Sequence, residues 1–332
     1  MATFKQIRGQ TIKKYTTNPT NPLQGQMWYN NTTGTLKVYR NLGGVWASGG
    51  DLNNPRAGLG GTGTQTAGLA ISGIIAHPQA TPANTSTSTE EYNGASWTAS
   101  GAVGSGSYTM GAAGTQAAAL INKGSLPPST NRTEVYDGST WTAGTASNTI
   151  ATNVGSGGTQ TSALIFGGSG PGGTADATEE WDGSSWTAGG ALGTARYQMS
   201  GNNVGTQTAG LCVGGYVPGA PTAATVVEEY NGSSWTAGIA LPSGQGNASR
   251  FGLQNAAMIA TGGQAPTTAA LTYDGSAWTA VGSLATGRPQ SGGCGSTTSG
   301  LVFGGGLNPS QMRVITEEYT DPTIGIQTVT TS

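Results

Sequence analysis

The residues of this 332-residue chain with the clearest capacity for chemistry are its carboxylates, which recur at equivalent places: Glu90-Glu91, Glu134, Glu179-Glu180, Glu228-Glu229 and Glu317-Glu318. Carboxylates that converge on one point can act as general acid and base, or hold a hard cation such as Ca2+, which takes several oxygens around one centre. On a strand, successive side chains face opposite ways, so each Glu-Glu pair offers one carboxylate to a given face. Two uses stay open on spacing alone: a ring of Ca2+ ligands, or a repeated structural role in which each Glu accepts hydrogen bonds from a neighbouring repeat or loop. Arg56, Arg196, Arg250 and Arg288 each open a strand pattern, and either line one end of a channel or bond to backbone carbonyls. His77, the only histidine, sits beside Pro78 and reads as a polar surface residue of a loop. Cys212 and Cys294 lie in separate Gly-rich apolar runs and read as buried free thiols. These patterns assign no catalytic, cofactor-binding or metal-binding residue.

What positions these side chains is a repeat. Tyr92-Asn93-Gly94-Ala95-Ser96-Trp97 returns as Tyr136 to Trp141, Trp181 to Trp186, Tyr230 to Trp235 and Tyr273 to Trp278, and a looser copy joins Tyr39 to Trp46. The tryptophans Trp97, Trp141, Trp186, Trp235 and Trp278 are 44, 45, 49 and 43 residues apart, the period of a propeller blade. Each repeat holds four short strand patterns divided by turn chemistry. Asn-Gly or Asp-Gly predicts a tight hairpin between the third and fourth strands, with positive φ angles at the turn and the Tyr and Trp packed across it. The apolar second strand occurs six times, from Ala67-Gly68-Leu69-Ala70-Ile71 to Gly300-Leu301-Val302-Phe303, as suits strands buried on both faces. An all-β propeller of six four-stranded antiparallel blades is therefore expected. The Gly-Thr-Gln-Thr segments at Gly63, Gly158 and Gly205 read as hairpin loops between first and second strands. The loops between second and third strands, beginning at Ile74, Lys123, Ser169 and Tyr216, differ from copy to copy and are the expected binding rim.

The Gly-Gly after an apolar strand, the Tyr before a turn and the Trp after it resemble the kelch repeat over residues 54–319, with a departure at Asn122-Lys123-Gly124 where Gly-Gly belongs. The resemblance implies a β-propeller used as a binding scaffold. Copper-binding enzymes of that type hold their metal through two histidines and tyrosines, which a chain with one histidine does not provide. The hairpins also resemble the Asp-box of sialidases, but in Asp137-Gly138-Ser139-Thr140-Trp141 the Gly follows the Asp one residue too early, and no cluster of three arginines is evident. The last repeat stops at Thr316-Glu317-Glu318-Tyr319 without a tryptophan. Leu36 to Tyr39 and Val45 to Ser48 look like a spare hairpin, whose Trp46 strand is expected beside Tyr319; Ile324 to Val329 is the rival for that place.

The chain carries a net charge of −2, with 58 glycines and only 8% charged residues. The charge is uneven: residues 1–50 hold Lys5, Arg8, Lys13, Lys14, Lys37 and Arg40 with no acid, and the remainder is acidic. No apolar stretch is long enough to span a bilayer, and no signal-peptide core opens the chain. The expected organisation is an extended basic arm over 1–25, a hairpin or meander over 26–50 that contributes the closing strand, and the propeller over 51–332. Gly25-Gln26-Met27-Trp28-Tyr29-Asn30, followed by a Thr/Gly turn and Leu36-Lys37-Val38, resembles a module of virion structural and tail-fibre proteins of tailed phages, marine ones in particular. That resemblance implies a non-enzymatic virion protein without cofactor, made in the host cytoplasm and assembled in several copies on a tail or capsid surface. Its arm, with Lys5, Arg8, Lys13 and Lys14 as partner-binding residues, would dock on other virion proteins, and its rim loops on a host glycan or protein; neither nucleic acid nor membrane insertion is expected. A non-viral kelch-like interaction scaffold and a glycan-binding or glycan-active propeller are the alternatives.

Overall fold

The computed structural model describes residues 12–20, 26–40, 44–76, 84–125, 129–171, 175–199, 203–263, 267–306, 312–321 and 325–328, which form 28 strands and no α-helix. The chain separates into a smaller unit, Met1–Gly44 with Asp321–Ser332, and a larger one, Val45–Thr320. Strands β1 (Lys13–Tyr15), β2 (Met27–Asn30) and β3 (Thr35–Arg40) belong to the smaller unit, and β4 (Val45–Ser48) begins the larger.

In the larger unit six four-stranded antiparallel sheets follow one another along the chain. Sheet I is β5 (Gly60–Thr64), β6 (Ala67–Ile71), β7 (Thr89–Tyr92) and β8 (Trp97–Ser100); sheet II is β9 (Gly111–Gly114), β10 (Ala119–Asn122), β11 (Thr133–Tyr136) and β12 (Trp141–Gly144). Sheet III is β13 (Gly155–Thr159), β14 (Ser162–Phe166), β15 (Thr178–Trp181) and β16 (Trp186–Ala188); sheet IV is β17 (Gly205–Thr206), β18 (Ala209–Val213), β19 (Val227–Tyr230) and β20 (Trp235–Ala237). Sheet V is β21 (Ser249–Leu253), β22 (Ala256–Ala260), β23 (Ala270–Tyr273) and β24 (Trp278–Ala280). Sheet VI has three strands from the end of the unit, β25 (Gly292–Gly295), β26 (Ser299–Phe303) and β27 (Thr316–Thr320), and takes β4 as its fourth. The last strand, β28 (Gly325–Thr328), pairs with β3, so the smaller sheet runs β1-β2-β3-β28.

The place left by the missing tryptophan is thus filled from the other end: Trp46 lies opposite Tyr319 in the β4–β27 register, with ring centroids 5.1 Å apart. The expected hairpin of Leu36–Tyr39 with Val45–Ser48 does not form, because β3 is flanked by β2 and β28 while β4 belongs to sheet VI. The strand Gly325–Thr328, the rival for that closing place, is in the smaller sheet.

The apolar second strands are the core. In β6, β14, β18, β22 and β26 only the first residue is partly exposed, and β10 is buried throughout. Their side chains pack between neighbouring sheets, as in the cluster of Leu69 and Ile71 with Ala112, Ala119 and Ile121. The Gly-rich first strands lie against one another in the sequence β5, β9, β13, β17, β21, β25, and β25 lies against β5. Glycine permits this approach: a Cβ on Gly61 would fall 2.7 Å from the backbone nitrogen of Gly293.

Two residues before the first strand of five sheets stands a residue with positive φ, Gly58, Thr109, Asn153, Asn247 or Gln290, and in sheet IV the corresponding residue is Gln198, seven residues before β17. Backbone hydrogen bonds link these residues in turn, with Met199, the neighbour of Gln198, making one of the steps. Thr109 N–H donates to Gly58, Asn153 to Thr109, Met199 to Asn153, Asn247 to Gln198, Gln290 to Asn247, and Gly58 back to Gln290, over 2.8–3.3 Å. The whole is a propeller-like all-β arrangement.

The Asn-Gly and Asp-Gly turns differ in detail from the sequence expectation. Four residues separate the paired Tyr92 and Trp97, and only the glycine takes positive φ (Gly94, 89°). The Asn or Asp acts through its side chain, as Asn93 Oδ1 accepts the N–H groups of Ala95 and Ser96 at 2.9 Å each. In the Asp137 and Asp182 turns, two backbone N–H groups and two hydroxyls hold each exposed carboxyl well below the usual carboxylate range.

Candidate functional site

The first carboxylate of each Glu position is buried and paired with a cation. Glu90 binds Arg56 at 2.5 Å, Glu134 binds Arg132 at 2.8 Å, Glu179 binds Lys123 at 2.7 Å and Glu228 binds Arg196 at 2.8 Å; Glu317 binds Arg288. Remaining lone pairs take loop N–H groups, as Asn53 N–H on Glu90 (2.8 Å) and Gly193 N–H on Glu228 (2.6 Å). Arg56 also donates to the carbonyls of Ser72 and Ser88, and Arg196 to those of Gly214 and Val226. Burial pulls the Arg56 and Arg288 guanidinium pKa down, with Glu90 and Glu317 opposing. This is the structural use of the carboxylates, and no group of three metal-ligating side chains occurs among the described residues.

Arg250 does not share the site of the other three arginines. It sits on β21 itself, donates to the carbonyls of Met199 (2.7 Å), Ala248 (2.8 Å) and Gln245 (3.1 Å), and has no salt bridge among the described residues. Burial lowers its pKa to about 10. Sheet V has Leu271 where the other sheets carry the buried Glu, so no carboxylate calls for an arginine there.

The departure at Asn122-Lys123-Gly124 also finds its reason. The position seven residues before Gly63 and Gly295 holds Arg56 and Arg288, but seven before Gly158 it holds Ala151. Lys123, with φ 61°, fills the gap from sheet II, its ammonium bonding Glu179 of sheet III and Thr149 Oγ1 (2.6 Å) of the segment that leads from sheet II into sheet III. Burial pushes the Glu179 carboxyl up, but Lys123 and the Thr149 and Asn148 donors outweigh it, leaving the net shift downward.

The second carboxylate of each pair reaches a neighbouring sheet. Tyr92 Oη donates to Glu318 (2.5 Å), Tyr136 to Glu91 (2.6 Å), Tyr230 to Glu180 (2.5 Å) and Tyr273 to Glu229 (2.8 Å). Burial first and then the carboxylate push these four phenols up to about 12. Sheet II lacks the second Glu and has Val135; sheet III has Trp181 in place of the tyrosine, and the two meet in an apolar cluster. Trp97, Trp141, Trp186 and Trp235 pack tilted against their hairpin partners, with ring centroids 4.9–5.2 Å apart, and donate Nε1, at 2.9 Å each, to Thr316, Thr89, Thr133 and Thr178. Trp278 stacks on Tyr273 at 4.8 Å, and its Nε1 goes to the Ile239 carbonyl at 2.8 Å.

The glutamines of the turns between first and second strands, four of them Gly-Thr-Gln and one Gly252-Leu253-Gln254, are the residues that sequence reasoning missed. Gln65, Gln116, Gln160, Gln207 and Gln254 each donate Nε2 to two carbonyls of the preceding sheet, as Gln254 to Gly210 (3.0 Å) and Tyr230 (2.7 Å). Their recurrence at one turn position was the available signal.

A cavity of ≈ 400 Å³ opens where the first-to-second-strand hairpins converge, lined by Gly63, Gly158, Gly205, Gly252 and Gly295 with Thr159, Asn203, Thr206, Leu253 and Ser296. Among the described residues that line it, the one titratable group is Cys294, a thiol pushed up by burial. Cys212 is likewise a free buried thiol, pushed up to about 11. None of the repeated carboxylates lines it.

In the smaller unit Lys13 and Lys14 are exposed on β1, which pairs in parallel with β2. Trp28 is buried, and its Nε1 and the Asn30 amide both donate to Asn18 Oδ1 at 3.3 and 3.2 Å. Lys5, Arg8, His77 and most of the variable loop tips lie outside the described residues. Compared with known proteins, the chain matches no family model and no curated protein.

Proposed function

We propose that this chain is a non-enzymatic structural protein of a tailed-phage particle: a six-bladed kelch-like propeller attached through its basic N-terminal segment, presenting loops for a host surface or neighbouring virion proteins. The observation that carries the non-enzymatic part is the use of the polar side chains. Four of the five first-position glutamates are in ion pairs buried on both sides, the fifth, Glu134, pairs with the partly exposed Arg132, four second-position ones hold tyrosines of neighbouring sheets, and none lines the cavity. A carboxylate fixed in a buried pair is a poor acid or base, because changing its protonation breaks the pair. The circuit of belt hydrogen bonds and the Trp46–Tyr319 pairing support six blades.

The attachment part rests on the smaller unit, whose β1 presents Lys13 and Lys14 exposed at a sheet edge. Such an edge offers unpaired backbone groups and positive charge to an acidic partner strand. The test is incorporation of K13E/K14E into particles: the reading expects incorporation to fall with the larger unit still folded, and normal incorporation would count against it. A second reading is favoured by the cavity, whose hydroxyls, backbone groups and Leu253 suit an uncharged polyhydroxyl ligand such as a glycan. Saturable binding of a neutral oligosaccharide, lost in L253D, would support it.

A further inference from the structure

Three side-chain links recur between neighbouring sheets: Tyr to Glu, Trp to Thr, and Gln to two carbonyls. Sheets VI and I share all three, through Tyr92 to Glu318 (2.5 Å), Trp97 to Thr316 (2.9 Å) and Gln65 to the carbonyls of Gly300 (3.3 Å) and Tyr319 (2.7 Å). Sheets I and II, and sheets III and IV, also share all three. Between sheets V and VI the sequence differs at each position: Thr272 stands for the Glu, Ala270 for the Thr and Thr297 for the Gln.

The structure shows the consequence. Trp46 Nε1, at the position where four other tryptophans find a threonine hydroxyl and Trp278 a backbone carbonyl, is buried without a hydrogen-bond partner. So are Asn247 Oδ1 and Gln290 Oε1, the belt side chains on either side of the same interface. What joins the two sheets is mainly apolar: Phe251, Met258 and Ala270 against Val302, Tyr319 and Trp46. The polar links across it are local to one end: the bond of Gln290 N–H to Asn247 (2.8 Å), the Ser249 hydroxyl with Ser291 Oγ (2.7 Å) and the carbonyls of Ser291 and Gly292 (3.1 and 3.3 Å), and the reciprocal pair of Arg288 N–H to Thr261 Oγ1 (2.7 Å) and Thr261 Oγ1 to the Arg288 carbonyl (3.0 Å).

We propose that the interface between sheets V and VI is the seam at which the larger unit first opens. Chain connectivity alone would place that seam elsewhere: in sheet VI, where the two ends of the unit meet, or between sheets VI and I. Apolar contact is not directional and tolerates sliding and partial hydration, whereas buried polar groups left without partners raise the energy of the closed state and gain hydration on opening. Sheet VI, held to sheet I by all three links and carrying β4 within it, then moves with sheet I. The proposal depends on the sheet interfaces alone and is independent of the particle reading.

The chain supplies its own probes for a test. Cys294 is buried in the cluster between sheets VI and I, Cys212 in the cluster between sheets III and IV, and V302C adds a thiol to the cluster between V and VI. M258C probes the opposite wall of the same cluster should V302C fail to fold. The full-length protein is pulsed with iodoacetamide under native conditions and each cysteine followed by peptide mass. The V302C or M258C thiol is expected to label about tenfold or more faster than Cys294 and Cys212, as local opening precedes global unfolding. Adding T297Q, which restores a reach to the carbonyls of Ala257 and Tyr273, together with A270T should slow the seam thiol about tenfold and leave Cys294 unchanged. Labelling of Cys294 as fast as the seam thiol, equal rates at all three sites, or no effect of T297Q/A270T would overturn the proposal.

Discussion

Lys123 reaches from sheet II to Glu179 of sheet III because Ala151 leaves that carboxylate without the arginine its counterparts have. Removing one member of a buried pair leaves an uncompensated charge, so K123A is expected to cost about 3 kcal/mol or more in urea unfolding, and A151R to recover part of the loss. A change under about 1 kcal/mol would show that the pair is not buried in solution. The four tyrosines give a pH signature. Their folded pKa, about 12, is raised above the unfolded value, so their stabilisation is fully present below about pH 10 and is lost as pH rises through 12. Y136F should therefore cost about 1–2 kcal/mol at pH 8, and the gap to the wild type should close between pH 10 and 12, which alkaline denaturant titration measures. The Tyr/Trp pairing was legible because both residues sit in one short hairpin. Lys123 was visible only as an exception to the repeat, since its partner lies 56 residues away.

Among the elements, β4 departs most from its local sequence context. Its Trp46 follows Tyr39 closely enough to look like a hairpin partner, yet pairs with Tyr319, because sheet VI lacks the tryptophan that every other sheet obtains from its own fourth strand. Short-range turn signals favour neighbours, and only the incomplete last repeat pointed the other way. W46A removes a half-buried ring from the edge of sheet VI and should cost about 2–3 kcal/mol, read as a lowered midpoint of thermal unfolding. The Gln turns act between elements: Q65A loses two bonds to sheet VI carbonyls and should cost about 1–2 kcal/mol, whereas T66A, at the next position of the same turn, should be near neutral. Equal costs would mean that the glutamine matters for the turn and not for the neighbouring sheet. These contacts run between successive repeats, so a single strand's periodicity could not reveal them.

At the scale of the whole molecule, six repeats of one period specify six sheets, since each repeat carries an apolar second strand that only neighbouring sheets can cover. The division of the chain was less legible: Val45–Ser48 joins the larger unit and Gly325–Thr328 the smaller, an exchange at both ends that long-range pairing decides. The candidate sites follow the same rule. The second-position glutamates, most of the tryptophans and the turn glutamines join neighbouring sheets, four of the five first-position glutamates pair within their own repeat, and the cavity is lined by residues that carry no charge of their own. Electron cryomicroscopy of the native assembly that contains this chain decides between a particle component and a free enzyme. The account predicts a six-bladed propeller on a phage tail or head, with the N-terminal segment seated on another virion protein. A free monomer, with a substrate held by carboxylates released from their ion pairs, would contradict it.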